Sequence, residues 1–255
     1  MTPVVLTGDP AKAVADYARA NSADLVVVGQ NGRRGSRFWR SGVLATDLAR
    51  AVESPTLTVS KEGNSSADAA ASFNNILVAI DFSPASLRAL KQALTLAQQS
   101  GGRVTLLHVL EGFPSETVYS GSRAFQLIGD YRARVDKVKQ QLRALIPPDA
   151  LNWSEVEIEV VSGVPHEAIV TAARARKADL VVIGRTRRGR LDRIVMASTV
   201  SGVLRRARSL VLTVPEPSDV TDVASNVIGV DHHDEAVALP TSTETYRQAD
   251  DHSAA

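Results

Sequence analysis

Gly29, Gly32 and Gly42 stand in the pattern G-x2-G-x9-G directly after the apolar run Leu25–Val28. Glycine permits positive φ and lets a ligand approach the backbone closely. A helix that begins just after the loop offers N–H groups without an intrahelical partner. Together these features make a cradle for phosphate. A second apolar run, Leu180–Ile183, leads into Gly184 and a loop bearing Arg185, Arg187, Arg188 and Arg190. Guanidinium groups suit phosphate oxygens. Asp81, ending the apolar run Asn75–Asp81, adds a carboxylate that can only accept hydrogen bonds. A glycine pattern alone says little, but between a strand and a helix and beside an acidic strand end it points to a phosphate-bearing ligand.

The elements that must position these residues are duplicated. Val5–Ser60 realigns on Val160–Pro215 at a constant offset of 155 without a gap, so that Gly8 meets Gly163, Asp24 meets Asp179 and Gly29 meets Gly184. A fixed-offset repeat decides architecture before any single residue does. The second copy is preceded by strand–helix pattern back to Asn75, the first by almost nothing. The chain therefore reads as one complete domain, residues 75–216, and the trailing part of another, residues 1–61, joined by a small, polar linker over 62–74.

In the complete unit the strands expected are Asn75–Asp81, Arg103–Val109, Val156–Val161, Leu180–Gly184 and Leu210–Val214. Ser83 and Pro84 supply an N-cap and a first helical residue, and the helix they open stops at Gly101–Gly102. A longer helix carries one stripe of Leu127, Ile128, Tyr131, Val135, Val138, Leu142 and Leu145. Pro165–Lys177 and Ser198–Arg208 are the remaining helices. The first copy supplies strands Val4–Thr7, Asp24–Gly29 and Thr56–Val59 and helices Pro10–Asn21 and Gly42–Glu53. Strands alternating with helices predict an α/β fold with a largely parallel sheet.

Composition sets the outer limits. The chain has 255 residues, 44% hydrophobic and 22% charged, with no cysteine. That excludes disulfides, thiolate metal sites and cysteine nucleophiles, and fits a reducing, cytoplasmic setting. No apolar run is long enough to span a membrane. The net charge of +1 conceals a division: residues 216–255 carry nine acids and one base, the rest 28 bases and 19 acids. The acidic segment, residues 217–255, has the composition of a disordered tail.

The motifs NILVAIDFSPAS (75–86), LLHV (106–109), SGVPHEAIV (162–170), ADLVVIGRTRRGRLDRIVMAST (178–199) and LVLTVP (210–215), with GDPAKAVADYA, ADLVVVGQNGRRG and PTLTV in the first copy, resemble the universal stress protein family in its tandem-domain form. The resemblance runs from Val4 to Pro215. It implies a Rossmann-like sheet of strand order 3-2-1-4-5, with ATP or a related adenine nucleotide, and Mg2+ accompanying ATP, in the crevice above strands one and four. It implies a regulatory module in stress response, with a nucleotide-independent dimerisation module and a slow ATP hydrolase as alternatives. Asp81 and Val109 map to the adenosine seat, Gly184 to the opening of the phosphate loop and Ser198 to its closing hydroxyl, with Gly189 and Thr199 in the same stretch.

The second glycine position of the family loop holds Arg187 and the third Ala197. A left-handed backbone at Arg187 costs about 1–2 kcal/mol relative to glycine. In the first copy Gly29, Gly32 and Gly42 remain, but Val43 replaces the hydroxyl residue and no counterpart of Asp81 precedes them. Domains of this family pair through their fifth strands, which sets Thr56–Val59 against Leu210–Val214 or, between chains, makes a homodimer; other regulatory protein partners carry no signature. Met1–Asn21, whose strand lacks its family neighbour, is expected to be poorly ordered or docked in a non-native way.

The remaining signals read more plainly. Arg33, Arg34, Arg37 and Arg40 surround Phe38 and Trp39, but no recognition helix or stacking face accompanies them, so nucleic acid is not a partner. His108 reads as a core or rim residue and His166 as a surface residue. His232 and His233 beside Asp231 and Asp234 do not make a metal site. No nucleophile–histidine–acid set stands out, and a dedicated enzyme is not expected.

Overall fold

The computed structural model describes residues 2–30, 43–60, 73–112, 122–186 and 192–216, except the side chains of 122–128 and 192–198. These residues belong to one unit, Met1–Asp219. Residues 62–72 of the expected linker 62–74 and the acidic tail 217–255 lie outside the described residues.

In chain order the elements are α1 (Pro10–Ala20), β1 (Val26–Gly29), α2 (Val43–Ala51), β2 (Thr56–Val59), β3 (Asn75–Ala79), α3 (Pro84–Ser100), β4 (Arg103–Leu110), α4 (Ser122–Ala144), β5 (Val156–Ser162), α5 (Pro165–Ala175), β6 (Leu180–Arg185), α6 (Asp192–Arg206) and β7 (Leu210–Pro215). The seven strands form one sheet in the order β1-β2-β7-β6-β3-β4-β5. The complete copy, β3 to β7, has the expected order 3-2-1-4-5, parallel throughout. Among the described residues the one antiparallel junction is β2 on β7, with Thr56 opposite Thr213, Leu57 opposite Leu212 and Thr58 opposite Val211.

Local chemistry explains the helix ends. Ser83 caps α3 by accepting the Ser86 N–H, Pro84 occupies the first turn, and Gly101 ends the helix at φ 65°. Glycine is the residue that takes this left-handed C-terminal position without cost. In the first copy the Asp9 side chain caps α1 by accepting from the Lys12 N–H.

The sheet separates two main cores. On one face α3 and α4 cover β3, β4, β6 and β7 through Leu90, Leu94, Val138, Leu142, Val182 and Val214. On the other, α5 and α6 enclose Leu77, Leu107, Ile169, Val181, Val203 and Leu204, and Ala49 of α2 joins them. A small satellite core of Ala15, Val28, Ala45, Leu48 and Val52 holds α1 and α2 on β1.

Two expectations for the first copy need correction. Val4–Thr7 is not a strand: the segment has no ladder partner, and Val5 is 92% exposed. Its counterpart β5 is held in the sheet by β4, and among the described residues no strand of the first copy lies beside Val4–Thr7. The helix that follows is not docked in a foreign way. Gly8 and Gly163 are both at positive φ, Ser22 and Lys177 both at φ 49°, and the Ala23 and Ala178 amides close the same turn on Ala18 and Ala173. Each pair is separated by 155 residues, so the backbone repeats along with the sequence.

Candidate functional site

The candidate crevice lies at the carboxyl ends of β3 and β6. There the sheet order reverses, because β4 and β5 extend to one side of β3 while β6 and β7 extend to the other. Ligands of open parallel sheets bind at this switch point.

Asp81 follows β3 at its carboxyl end and is exposed. Its Oδ1 accepts from the Ser83 amide at 3.0 Å and from Ser83 Oγ at 2.6 Å. The Asp81 amide points to Ser86 Oγ at 3.4 Å. Between them Phe82 stands at φ 63°, a region non-glycine residues rarely occupy. The carboxylate is thus oriented by the turn that starts α3, while Oδ2 takes no hydrogen bond from the described residues. Asp81 therefore holds the turn in place and still presents an acceptor at the crevice.

His108, on β4, completes the neighbourhood. Its Nδ1 is 2.7 Å from the Ile80 carbonyl, so the neutral ring donates from Nδ1. Its ring lies 5.2 Å from that of Phe82, tilted by 46°. Burial pushes the His108 pKa below the ordinary histidine value, opposed by the Ile80 hydrogen bond and by Asp81 and aided by Arg134. The sequence reading of a rim histidine is what the geometry gives. His166 is less open than the sequence suggests: its side chain is 19% exposed, and a Cβ on Gly202 of α6 would come within 2.5 Å of its ring.

Val109 is half-buried on β4, opposite Val161, and packs on the α5–α6 core. Gly184 has a packing reason that sequence alone could not supply. A Cβ there would lie 2.4 Å from the Ser86 nitrogen and 2.5 Å from the Ala85 carbonyl carbon. The glycine lets the first turn of α3 press against β6. Thr199 is buried in α6. Arg187 and Gly189 lie outside the described residues, as do the side chains of Ala197 and Ser198 on α6; in the first copy Gly29 ends β1, and Gly32, Gly42 and the arginines 33, 34, 37 and 40 lie outside them.

Arg185 reaches beyond the loop that its charge suggests. Its guanidinium crosses to the first copy and donates to the Arg50 carbonyl at 3.2 Å and the Val52 carbonyl at 2.6 Å. These carbonyls end α2, where a cation is favourable. The counterpart of Arg185 is Gln30, and its Nε2 donates to the Leu204 carbonyl near the end of α6 at 2.5 Å. The residue after each strand-end glycine thus holds the end of the other copy's helix, an exchange that no local pattern announces. Arg50 adds a contact of 3.2 Å to Ser201 Oγ.

Among the described residues no group of three or more histidines and acids is placed to hold a metal, and no helix is long and apolar enough to cross a membrane.

Comparison with known proteins agrees with this architecture. The model of the universal stress protein family matches residues 2–60 and 72–215. A universal stress protein of Methanocaldococcus jannaschii is 30% identical over 151 residues, 57% of this chain and 84% of that protein. One of Thermus aquaticus is 34% identical over 146 residues, 56% of this chain and 98% of that protein. The crystal structure of a universal stress protein from Archaeoglobus fulgidus superimposes with a TM-score of 0.52 at 21% identity, covering 81% of this chain and 66% of its own.

Proposed function

Because the chain belongs to the universal stress protein family, we propose that it is a stress-response regulatory module that binds ATP or a related adenine nucleotide at the carboxyl ends of β3 and β6. The observation that carries this reading is Asp81, whose Oδ1 is fixed by Ser83 while Oδ2 takes no hydrogen bond from the described residues. A carboxylate oriented in this way, at a switch point, accepts from the hydroxyl or amino groups of a nucleoside. Val109 lines the same strand ends, the backbone at Gly184 opens the loop toward Arg187, Gly189, Ala197, Ser198 and Thr199, and the start of α6 supplies amides for phosphate. Mg2+ would enter with ATP. The absence of cysteine fits a cytoplasmic setting.

In this reading the nucleotide contacts the loop that begins at Arg185, the residue that also holds the end of α2. Occupancy would then be felt by the first copy without any chemical step. Calorimetry with ATP tests the proposal: heat of binding by the intact protein, lost or weakened at least tenfold in Asp81→Ala, supports it. No heat from either protein contradicts it. Turnover of ATP that disappears in Asp81→Ala would favour a slow hydrolase.

A second reading is favoured by the same arginine. With Arg185 committed to the Arg50 and Val52 carbonyls, one charge of the basic loop is already used for joining the copies. A nucleotide-independent interaction module, working through paired fifth strands, needs nothing more than this.

A further inference from the structure

A recess of about 260 Å³ lies at the opposite end of the sheet from the crevice, between the amino ends of β3 and β4 and the end of α5. Its wall includes Asn75, Leu77, Arg103, Thr105, Arg176 and Ala178. Register and alternation explain why these side chains meet. Asn75 pairs with Arg103 and Leu77 with Thr105 on β4, and Thr105 pairs with Glu157 on β5. Leu77, Leu107 and Val161 pack on the α5–α6 core. Side chains at even spacing from them along each strand share that face, which places Asn75, Arg103, Thr105, Glu157 and Glu159 beneath α5.

Thr105 marks the recess as a site. Its side chain is 4% exposed, between Val104 and Leu106, which are fully buried. Among the described residues its Oγ1 makes no hydrogen bond. Thr58 Oγ1 is sealed away from any opening, whereas the Thr105 hydroxyl keeps access to the recess. A hydroxyl held among apolar side chains without a partner costs free energy, and an oxygen of a ligand in the recess removes that cost. The two arginines stand nearer the mouth, with side chains 51% exposed for Arg103 and 34% for Arg176. Arg176 is fixed by β5: its Nε donates to Glu159 Oε2 at 2.5 Å and its Nη1 to Glu157 Oε2. Those bonds leave N–H groups on Nη1 and Nη2 for another acceptor. Arg103 is held more loosely, with Glu155 at 3.4 Å. Because the three glutamates already balance both guanidinium charges, the recess suits one added negative charge rather than two.

We propose that this recess binds a small hydroxy- or oxo-monocarboxylate. The carboxylate takes N–H groups of Arg103 and Arg176 at the mouth, a pairing that guanidinium geometry matches. The short stem lies against Leu77, Ala175 and Ala178. The hydroxyl or carbonyl oxygen on the stem accepts from Thr105 at the floor. Glu157 and Glu159 act as positioning residues that hold the Arg176 guanidinium in place. The recess and the crevice occupy opposite ends of the strands, so this site does not depend on the nucleotide reading.

The test titrates the full-length, isotope-labelled protein with lactate and pyruvate, and with propionate, which lacks the oxygen on the stem. At least one of lactate and pyruvate should give saturable amide shifts at Leu77, Thr105, Ala175 and Arg176 while Asp81 and Gly184 stay unmoved. Propionate should bind about threefold to tenfold more weakly, the worth of one neutral hydrogen bond. Thr105→Val keeps the shape of the side chain and should abolish that preference. Arg103→Gln, at an exposed position, should fold as the parent does by circular dichroism and weaken every probe by about tenfold or more, the worth of a charged donor. Absence of saturable shifts at millimolar lactate and pyruvate would overturn the proposal. So would equal affinity of the parent for all three probes, which would reduce the site to a general anion contact at the arginines. Binding unchanged by Arg103→Gln, or a preference that survives Thr105→Val, would overturn it as well.

Discussion

Leu57 on β2 lies directly opposite Leu212 on β7, and these two residues are also each other's counterparts in the repeat, 155 positions apart. Thr56 then faces Thr213, the counterpart of Thr58, and Thr58 faces Val211, the counterpart of Thr56. The local two-fold axis of the junction passes through the Leu57–Leu212 pair. An isologous contact of the kind that joins identical subunits is thus formed within one chain. Leu212 is buried and Leu57 half-buried against the same core. Leu212→Ala should cost about 2–4 kcal/mol and Leu57→Ala about 1 kcal/mol, read from urea unfolding. Equal costs would contradict the difference in burial.

The junction is not symmetric in its hydrogen bonds. Thr213 Oγ1 donates to the Thr56 carbonyl at 3.2 Å, whereas Thr58 Oγ1 is buried without a partner among the described residues. Replacing an unsatisfied buried hydroxyl by a methyl removes a desolvation cost, while removing a satisfied one gives up a bond. Thr58→Val should therefore raise stability, by about 1 kcal/mol, and Thr213→Val should lower it by a similar amount. Thermal unfolding of the two variants gives opposite shifts if the assignment holds.

Gln30 and Arg185 make reciprocal bonds to helix ends of the other copy. Gln30→Ala should cost about 1 kcal/mol and Arg185→Ala about 1–3 kcal/mol, the charged donor being worth more. If Arg185 served only the loop, its removal would leave stability unchanged and alter nucleotide affinity alone. Denaturant curves of both variants, with and without ATP, separate these outcomes.

Gly184→Ala should destabilise the protein by about 1–3 kcal/mol without any ligand present, because the new methyl meets the backbone of Ala85 and Ser86 rather than a movable side chain. A variant as stable as the parent would return this glycine to a purely ligand-facing role.

The depressed pKa of His108 sets a pH dependence with a definite sign. The unfolded chain takes up the proton near pH 6.5, while burial in the folded protein holds the ring neutral to lower pH. The unfolded state therefore binds more protons between the two values, and stability is lost as pH falls through that window. His108→Gln should flatten the acid limb of a stability–pH profile below about pH 6.5, with little change above it.

Much of this arrangement was legible in the sequence because it is local or repeated. The strands and helices of the complete copy follow from apolar runs, the Ser83–Pro84 cap and the Gly101 stop. The β2–β7 pairing followed from the family resemblance. Val4–Thr7 misleads because a β-branched run states only a preference, and among the described residues no strand stands beside it to form a ladder. Spacing presents Gly184 and Arg185 as loop chemistry; their contacts with Ser86 and with the Arg50 and Val52 carbonyls depend on long-range packing that spacing does not encode. Asp81 reads from sequence as a turn cap or a site residue; the Ser83 bonds to Oδ1 show the cap, and the site role remains the proposal that ATP titration tests.

The nucleotide reading is tested most directly by titrating ATP into isotope-labelled protein and following backbone amide resonances. The account predicts saturable shifts clustered at Asp81, Ser83, Val109, Gly184 and the first turn of α6, absent in Asp81→Ala. Unmoved resonances at millimolar ATP, or shifts confined to Gly29 and its neighbours in the first copy, would contradict it.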